Sequence, residues 1–216
     1  MNVSVIIPAY NEEKHIEKVL DVVRKNKIVN EILVVDNNSV DNTANICKKC
    51  GVKTVFCKSQ GKGYAIETGE KNITGEILVL IDADICNYES NFIDKMVEPI
   101  LNDRADFVKA TFKRDGGRVT ELVAKPLLEL TYPKLGLFEQ PLSGIIACKT
   151  DIFRKIELEK DYGVDVGILI DLYNLNVRME QVNIGEIIND SQDWRDLKKM
   201  AKEVAYAIIS RGYIKK

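Results

Sequence analysis

Short, almost wholly apolar runs recur through the first eighty residues, and each is followed by a stretch whose apolar positions fall three and four apart. The runs are 3–8, 31–36, 53–57 and 76–81. Neighbouring rather than alternate positions are apolar in them, which is the pattern of strands covered on both faces. Between the runs, residues 12–25 place Ile16, Val19, Leu20 and Val23 on one helical face, and 41–50 and 63–71 continue the alternation. This order predicts an α/β fold with a mostly parallel central sheet flanked by helices. Ligands of such sheets sit beyond the carboxyl ends of the strands. The loops after Ile7, Val35, Val55 and Ile81 are therefore expected on one functional edge.

Further along, a helix from Asn91 leads to a strand near 106–112, and a helix from about Arg118 ends before Pro133. Residues 144–148 read as another strand, 164–175 as a helix, 179–184 as extended chain and 193–209 as a last amphipathic helix. No repeat, low-complexity stretch or linker interrupts the series, so residues 1–216 are expected to form one domain.

The run 76–81 ends in Asp82-Ala83-Asp84. Two carboxylates one residue apart can face the ligand edge together once the chain turns. They make a hard oxygen site for Mg2+ or Mn2+, which then bridges phosphate oxygens. An acidic turn can also simply cap the next segment, but its place after the fourth buried run favours a ligand site. Pro8-Ala9-Tyr10-Asn11-Glu12 follows the first run. There Pro8 is expected to stop the ladder, Glu12 can accept from ribose hydroxyls, and Asn11 can cap a helix beginning at Glu12. Asp36, Asn37 and Ser39 stand in the equivalent place after the second run, where a carboxylate or amide can pair with a base edge and Asp41 can cap the next helix. Gly61-Lys62-Gly63 opens the third helix. Its glycines let backbone N–H groups approach an anion, and the Lys62 charge and the helix N-terminus add to this. The same triplet also suits any flexible turn.

Composition narrows the classes. Acids and bases nearly cancel, at net charge −2, so no nucleic-acid surface is indicated. The apolar runs fall far short of the roughly 20 residues that span a bilayer. Strand-like residues begin at Val3 with no basic leader, and a cytoplasmic protein is expected. Five cysteines, an odd number, argue against a disulfide framework. Cys47 and Cys50 form a lone C-x-x-C at a helix end, for which a zinc or redox role is the weaker reading. The chain has no G-x-G-x-x-G after its first run, no P-loop motif and no G-x-S-x-G, which disfavours dinucleotide enzymes, P-loop NTPases and serine hydrolases.

Taken in order, the segments 8–13, 36–41, 61–63 and 82–84 resemble the donor half of GT-A glycosyltransferases, family 2 in particular. The thirteen residues Gly-Gly-Arg-Val-Thr-Glu-Leu-Val-Ala-Lys-Pro-Leu-Leu at 116–128 are similar to the acceptor segment of glucosyl-3-phosphoglycerate synthases. Gln140-Pro141-Leu142-Ser143-Gly144 and Tyr162-Gly163-Val164-Asp165 resemble two further segments of that family, and the likeness runs from about Val3 to Gly185. It implies a GT-A nucleotide-sugar-binding fold with a donor half, 1–90, and an acceptor half, 91–216. It also implies a UDP- or GDP-hexose donor, glucose foremost, a 3-phosphoglycerate acceptor, and transfer with retention of anomeric configuration.

The likeness implies roles residue by residue. Pro8, Ala9, Tyr10, Asn11, Glu12, Asp36, Asn37, Ser39, Lys62, Asp82, Ala83, Asp84, Leu142, Ser143 and Gly144 would line the nucleotide-sugar. Gly117, Arg118, Val119 and Thr120 would hold the acceptor, which suits the anion-binding chemistry of glycine, arginine and a helix start. The alternative for Arg118 is a surface pair with Glu121. Asp84 and Asp82 would hold Mg2+ or Mn2+ with Asn189, which stands four residues after Gly185 where the family has a histidine. Asp165 replaces a family glutamate and would orient the acceptor hydroxyl or stabilise positive charge on the sugar, unless it is only an N-cap. Asp84, Asp165 and Lys62 are thus the catalytic candidates. The reading allows a homodimer. Two rivals stay open: a family 2 enzyme acting on polyprenyl phosphate or a glycan, and a nucleotide-sugar-binding protein without catalysis. A nucleotidyltransferase would need a Gly-rich loop with an arginine where Pro8-Ala9-Tyr10-Asn11 stands.

Overall fold

The computed structural model describes residues 1–85, 87–114, 117–188 and 194–213. The strands β1 (Val3–Ala9), β2 (Val29–Asp36), β3 (Lys53–Phe56), β4 (Ile77–Leu80), β5 (Phe107–Lys113), β6 (Ile146–Lys149) and β7 (Met179–Glu186) form one sheet, in the order β3-β2-β1-β4-β6-β5-β7. The helices are α1 (Ile16–Lys25), α2 (Thr43–Lys49), α3 (Lys62–Glu70), α4 (Phe92–Leu101), α5 (Lys125–Thr131), α6 (Pro133–Gly136), α7 (Thr150–Phe153), α8 (Val164–Asn174) and α9 (Trp194–Tyr213). The expected α/β architecture is present. β6 alone runs antiparallel to both its neighbours, β4 and β5, and the other ladders are parallel.

Alternation along the strands splits the core into two layers. Val3, Val5 and Ile7 of β1 and Val79 of β4 face α1 and α4, which bury Ile16, Val19, Leu20, Phe92, Met96 and Val97. Ile6, Leu33, Leu78 and Phe107 face the other way, towards Ile66 of α3, Leu128 of α5, Leu169 of α8 and Ile208 of α9. No described helix is long and apolar enough to cross a membrane.

Several expectations shift. Pro8 does not stop the ladder: it lies inside β1, opposite Val35. Ile6 gives its carbonyl to Ile81 of the β4 segment, and Pro8, two residues on, turns its missing N–H the same way, past the point where β4 has ended, so no bond is lost. α1 begins at Ile16 rather than at Glu12. Asn11 has φ +57° and does not cap it. Asp41 does serve α2: its carboxylate accepts the N–H of Thr43 at 2.9 Å and that of Glu13 at 3.0 Å. The expected helix from Arg118 contains a π turn, Thr120–Ala124, closed by the Lys125 N–H on the Thr120 carbonyl. The wider turn precedes Pro126, whose ring would strike the carbonyl four residues back in a regular helix. Cys47 and Cys50 are free thiols, and burial pushes Cys47 up to about 11, which makes it inert.

Candidate active site

The parallel strands all open their carboxyl ends on one sheet edge, and β6, running backwards, brings its beginning there. The described residues that follow β1, β2, β3, β4, β5 and β7 therefore share that edge with the turn Leu142-Ser143-Gly144. Lys62 sits at the centre. Its ammonium donates to Asp82 Oδ1 at 2.9 Å and to Asp165 Oδ2 at 2.8 Å. One cation thus ties the end of β4 to the first turn of α8. Burial opposes the charge on Lys62, but the two carboxylates outweigh it and raise its pKa above the usual lysine value. Asp165 is 7% exposed and lies inside α8 rather than at its cap, which is Gly163. Burial raises its pKa while Lys62 pulls it down.

The glycines beside Lys62 have a packing reason that the sequence reading did not anticipate. A Cβ at Gly63 would lie 1.6 Å from the Glu159 carbonyl oxygen, and one at Gly61 2.2 Å from that of Lys160. The turn before α8 therefore presses on the start of α3 and carries Lys62 to Asp165. The N–H of Gly61 is given to Asn37 Oδ1 at 2.8 Å and that of Gly63 to the Lys160 carbonyl at 3.3 Å. Two of the N–H groups expected to cradle an anion are already satisfied within the protein.

Asp84 lies one residue beyond Ala83 on the same loop. Burial, together with the charges of Asp82 and Glu12, pushes its carboxyl up to about 6. Such crowding of negative charge favours a cation. Tyr88, stacked on Phe92 at 4.3 Å, donates its hydroxyl to the Asp82 carbonyl at 3.1 Å and fixes the loop from below. Among the described residues no group of three or more His, Cys, Asp or Glu is placed to hold a metal. Mg2+ commonly takes only one or two carboxylates and completes its shell with substrate phosphates and water, so Asp82 and Asp84 fit it.

The neighbouring loops are knitted together. The Asn11 N–H donates to Ser39 Oγ at 3.1 Å, and Asn11 Oδ1 accepts from the Val40 N–H at 2.9 Å. Asp36 Oδ1 accepts the Ser39 N–H at 3.1 Å, and Asn37 Nδ2 donates to the Ser59 carbonyl at 2.6 Å. Asn11 and Asn37 thus spend their amides on shaping the edge, and Asp36 keeps one carboxylate oxygen outside these bonds. Tyr10 is 44% exposed. Glu12 pairs with His15 Nδ1 at 3.0 Å.

The turn before β6 is held from beneath. Lys109, 1% exposed in the middle of β5, donates to the Ser143 carbonyl at 2.8 Å. Burial, partly offset by Asp165, lowers its pKa to about 8. Gly144 faces the ion cluster, where a Cβ would fall 2.3 Å from Lys62 Nζ and 2.5 Å from Asp82 Oδ1. Gly144→Ala should displace both groups by a fraction of an ångström or more. Turnover is expected to fall roughly 10- to 100-fold, with melting temperature lowered by a few degrees as the ion cluster is displaced, in paired kinetic and calorimetric measurements.

Around the segment 117–120, Gly117 has φ +87° and its carbonyl accepts the Glu121 N–H at 3.0 Å. Val119 and Thr120 are buried, at 7% and 2% exposure, and Arg118 is exposed. Glu121 pairs with Lys125 at 2.6 Å, not with Arg118, so the surface-pair alternative for Arg118 is not the one formed. Arg114 sits against this segment, with Nη2 3.4 Å from Thr120 Oγ1. Burial lowers its pKa, while Asp82 and Asp84 are near enough to raise it.

A family model described as glycosyl transferase family 2 matches residues 4–162. The glucosyl-3-phosphoglycerate synthase of Petrotoga mobilis is 33% identical over 98% of this chain and 73% of its own length. The chain belongs to glycosyl transferase family 2 and, by this likeness, to the glucosyl-3-phosphoglycerate synthases. Two crystal structures of the Mycobacterium tuberculosis synthase are similar to this chain, each at 33% identity. The complex with Mn2+, UDP and phosphoglyceric acid has a TM-score of 0.92 and covers 98% of this chain and 78% of that one. The complex with Mn2+, UDP and glucosyl-3-phosphoglycerate has a TM-score of 0.93 and covers 100% and 81%.

For a family 2 glycosyltransferase, the D-x-D loop, Lys62, Asp165 and the turn 142–144 come together as the sequence suggested. Asn189, the expected third metal ligand, lies outside the described residues. Sequence reasoning misses Lys109 and Arg114. Their signals were present: a lysine inside the apolar run Phe107-Val108-Lys109-Ala110, and an arginine at the end of that strand, just ahead of the acceptor segment.

Proposed function

We infer that this chain transfers glucose from UDP-glucose to 3-phosphoglycerate, giving glucosyl-3-phosphoglycerate with retention of configuration. One observation carries the reading. The end of β4 with Asp82 and Asp84, tied through Lys62 to Asp165, and the segment 117–120 after β5 stand at the same carboxyl edge of the sheet, in a chain that overlays along nearly its whole length on a synthase holding UDP and phosphoglyceric acid. We read residues 1–90 as the donor half and 91–216 as the acceptor half of one GT-A domain. Balanced charge and short apolar runs support a cytoplasmic enzyme without a nucleic-acid partner.

Asp84 and Asp82 would hold Mg2+ or Mn2+ against the donor diphosphate. The ion's contribution when bound is to neutralise charge on the leaving phosphate. The loops after β1 and β2 shape the nucleoside site, with Glu12 and Asp36 facing it. Lys62 keeps Asp82 and Asp165 in place and lends positive charge to the centre. Asp165, held by Lys62, orients the acceptor hydroxyl or stabilises positive charge on the sugar, and fixed charges of this kind need no rearrangement during reaction. Leu142, Ser143 and Gly144 close on the donor. The acceptor's anionic groups rest on Gly117, Arg118, Val119 and Thr120.

The test is a matrix of nucleotide-sugars against 3-phosphoglycerate and related acids, read by product mass and anomeric coupling. The expected product is the α-glucoside from UDP-glucose. Transfer only to polyprenyl phosphate, or no transfer despite nucleotide binding, would replace this reading with one of its rivals. Arg118→Ala should cost a charge-assisted contact of about 1.5–3 kcal/mol and raise the acceptor KM roughly 10- to 100-fold. Calorimetry without acceptor should give unchanged UDP-glucose affinity. A collapse of donor affinity would move Arg118 to the nucleotide site.

A further inference from the structure

We propose that Arg114 is an acceptor-binding residue, its guanidinium receiving an anionic group of the substrate beside Gly117 and Thr120. The inference rests on the functional reading above and adds to it a residue that neither the sequence motifs nor the comparisons single out.

Arg114 directly follows β5 and is half-buried. Its Nε is buried and has no hydrogen-bond partner among the described residues. Among the described residues its one hydrogen bond is the long contact from Nη2 to Thr120 Oγ1, at 3.4 Å. Among the described residues no carboxylate forms an ion pair with it, whereas Lys62 is paired by Asp82 and Asp165, and Arg211 by Glu159 and Asp171. The group rests on the Phe112 ring, with Cζ 5.6 Å from its centroid, a contact that supports a cation without satisfying its N–H donors. A buried donor left unmade costs free energy and needs a reason.

The geometry supplies one. A Cβ at Gly117 would lie 3.5 Å from Nη2 and 3.6 Å from Nε of Arg114. The open edge of the guanidinium therefore borders the positive-φ glycine and the buried Thr120 hydroxyl. A planar fork with a free Nε–H and a hydroxyl alongside is matched to a carboxylate or phosphate. The guanidinium is within electrostatic reach of Asp82 and Asp84 while lying against Gly117 and Thr120. The donor diphosphate is the other anion that comes to this edge. The contact with Gly117 and Thr120 favours the acceptor.

The experiment compares wild type, Arg114→Gln and Arg114→Lys. Steady-state kinetics should show the 3-phosphoglycerate KM rising about 10- to 100-fold in Arg114→Gln, with kcat falling less. Arg114→Lys should recover part of the loss, since it keeps the charge without the fork. UDP-glucose affinity, measured calorimetrically without acceptor, should stay the same in all three. Without ligands Arg114→Gln should melt at least as high as wild type, because a poorly satisfied buried charge has been removed. Its melting temperature should no longer rise with 3-phosphoglycerate. A variant that melts lower yet keeps the wild-type acceptor KM would make Arg114 structural. Lost UDP affinity would assign it to the donor. A wild type that neither turns over nor gains melting temperature with 3-phosphoglycerate would sink the functional reading itself. A wild type that responds alongside an Arg114→Gln that responds equally would sink only the assignment of Arg114.

Discussion

Asp84→Asn is expected to lower turnover about 1,000-fold, the equivalent of roughly 4 kcal/mol of transition-state stabilisation, while making the metal-free protein more stable at pH 7. The first effect follows from losing a charged oxygen ligand for the cation. The second follows from the crowding of Asp84 by burial, Asp82 and Glu12, which lifts its carboxyl from 3.8 to about 6. An acid whose pKa is raised by folding destabilises the fold when ionised. That penalty is absent below the ordinary value, near pH 4, and is fully present once the pH has risen through about 6. The asparagine variant should therefore gain up to about 3 kcal/mol near neutrality, and its stability should vary less between about pH 4 and 6. Melting temperatures in EDTA across that range, set beside kinetics in Mg2+ and Mn2+, test both halves. EDTA should reproduce the activity loss in wild type. Full activity in EDTA would remove the D-x-D loop from the metal site.

Lys62→Met is expected to be the most damaging change to both stability and activity. It leaves Asp82 and Asp165 facing each other without their shared cation. Removing one partner from a buried pair costs about 3–5 kcal/mol. Because Lys62 retains 24% side-chain exposure, solvent screening reduces this to about 2–4 kcal/mol, or a fall of roughly 5–15 °C in melting temperature. Turnover should fall with it, since Asp165 loses the group that places it. The double variant Lys62→Met, Asp165→Asn should recover part of the stability but none of the activity. If the double variant is no more stable than the single one, the ion triplet is not what Lys62 supports.

The first half of the fold was legible because β1, the second half of β2 and β4 are apolar on both faces and α1 carries a clear stripe. Ile16, Val19, Leu20 and Val23 are all buried as their spacing required. The direction of β6 was not legible. Ile146, Ala147 and Cys148 are buried on both faces, and an apolar run reads the same whichever way it points. The π turn depends on one ring, Pro126, meeting a carbonyl in three dimensions. The start of α1 was misread because residues 12–15 hold helix-compatible side chains, yet their hydrogen bonds tie them to Thr43 and Asp41 on the next loop.

At the site, Asp82 and Asp84 announce themselves by spacing. Lys62 was visible as a charge but its partners were not, because Asp165 is 103 residues away along the chain. The glycines flanking it suggested a phosphate loop, whereas their lack of side chains makes room for the backbone of Glu159 and Lys160. Composition and order place a motif on an edge. Which partners fill its donors is decided by packing between distant segments.

The placement of β6 also sets the order in which the protein can be made. β4 is buried at all four positions and is flanked by β1 on one side and β6 on the other. When β4 leaves the ribosome only its β1 side can be paired. From Leu80, where β4 ends, to Lys149, where β6 ends, the chain has 69 residues to go, roughly 3–14 s of synthesis at about 5–20 residues per second. During that interval the nascent chain carries an unpaired apolar edge, the kind of strand that templates aggregation. A holding chaperone or the chain's own collapse must cover it, and a fragment ended at residue 90 keeps that edge permanently.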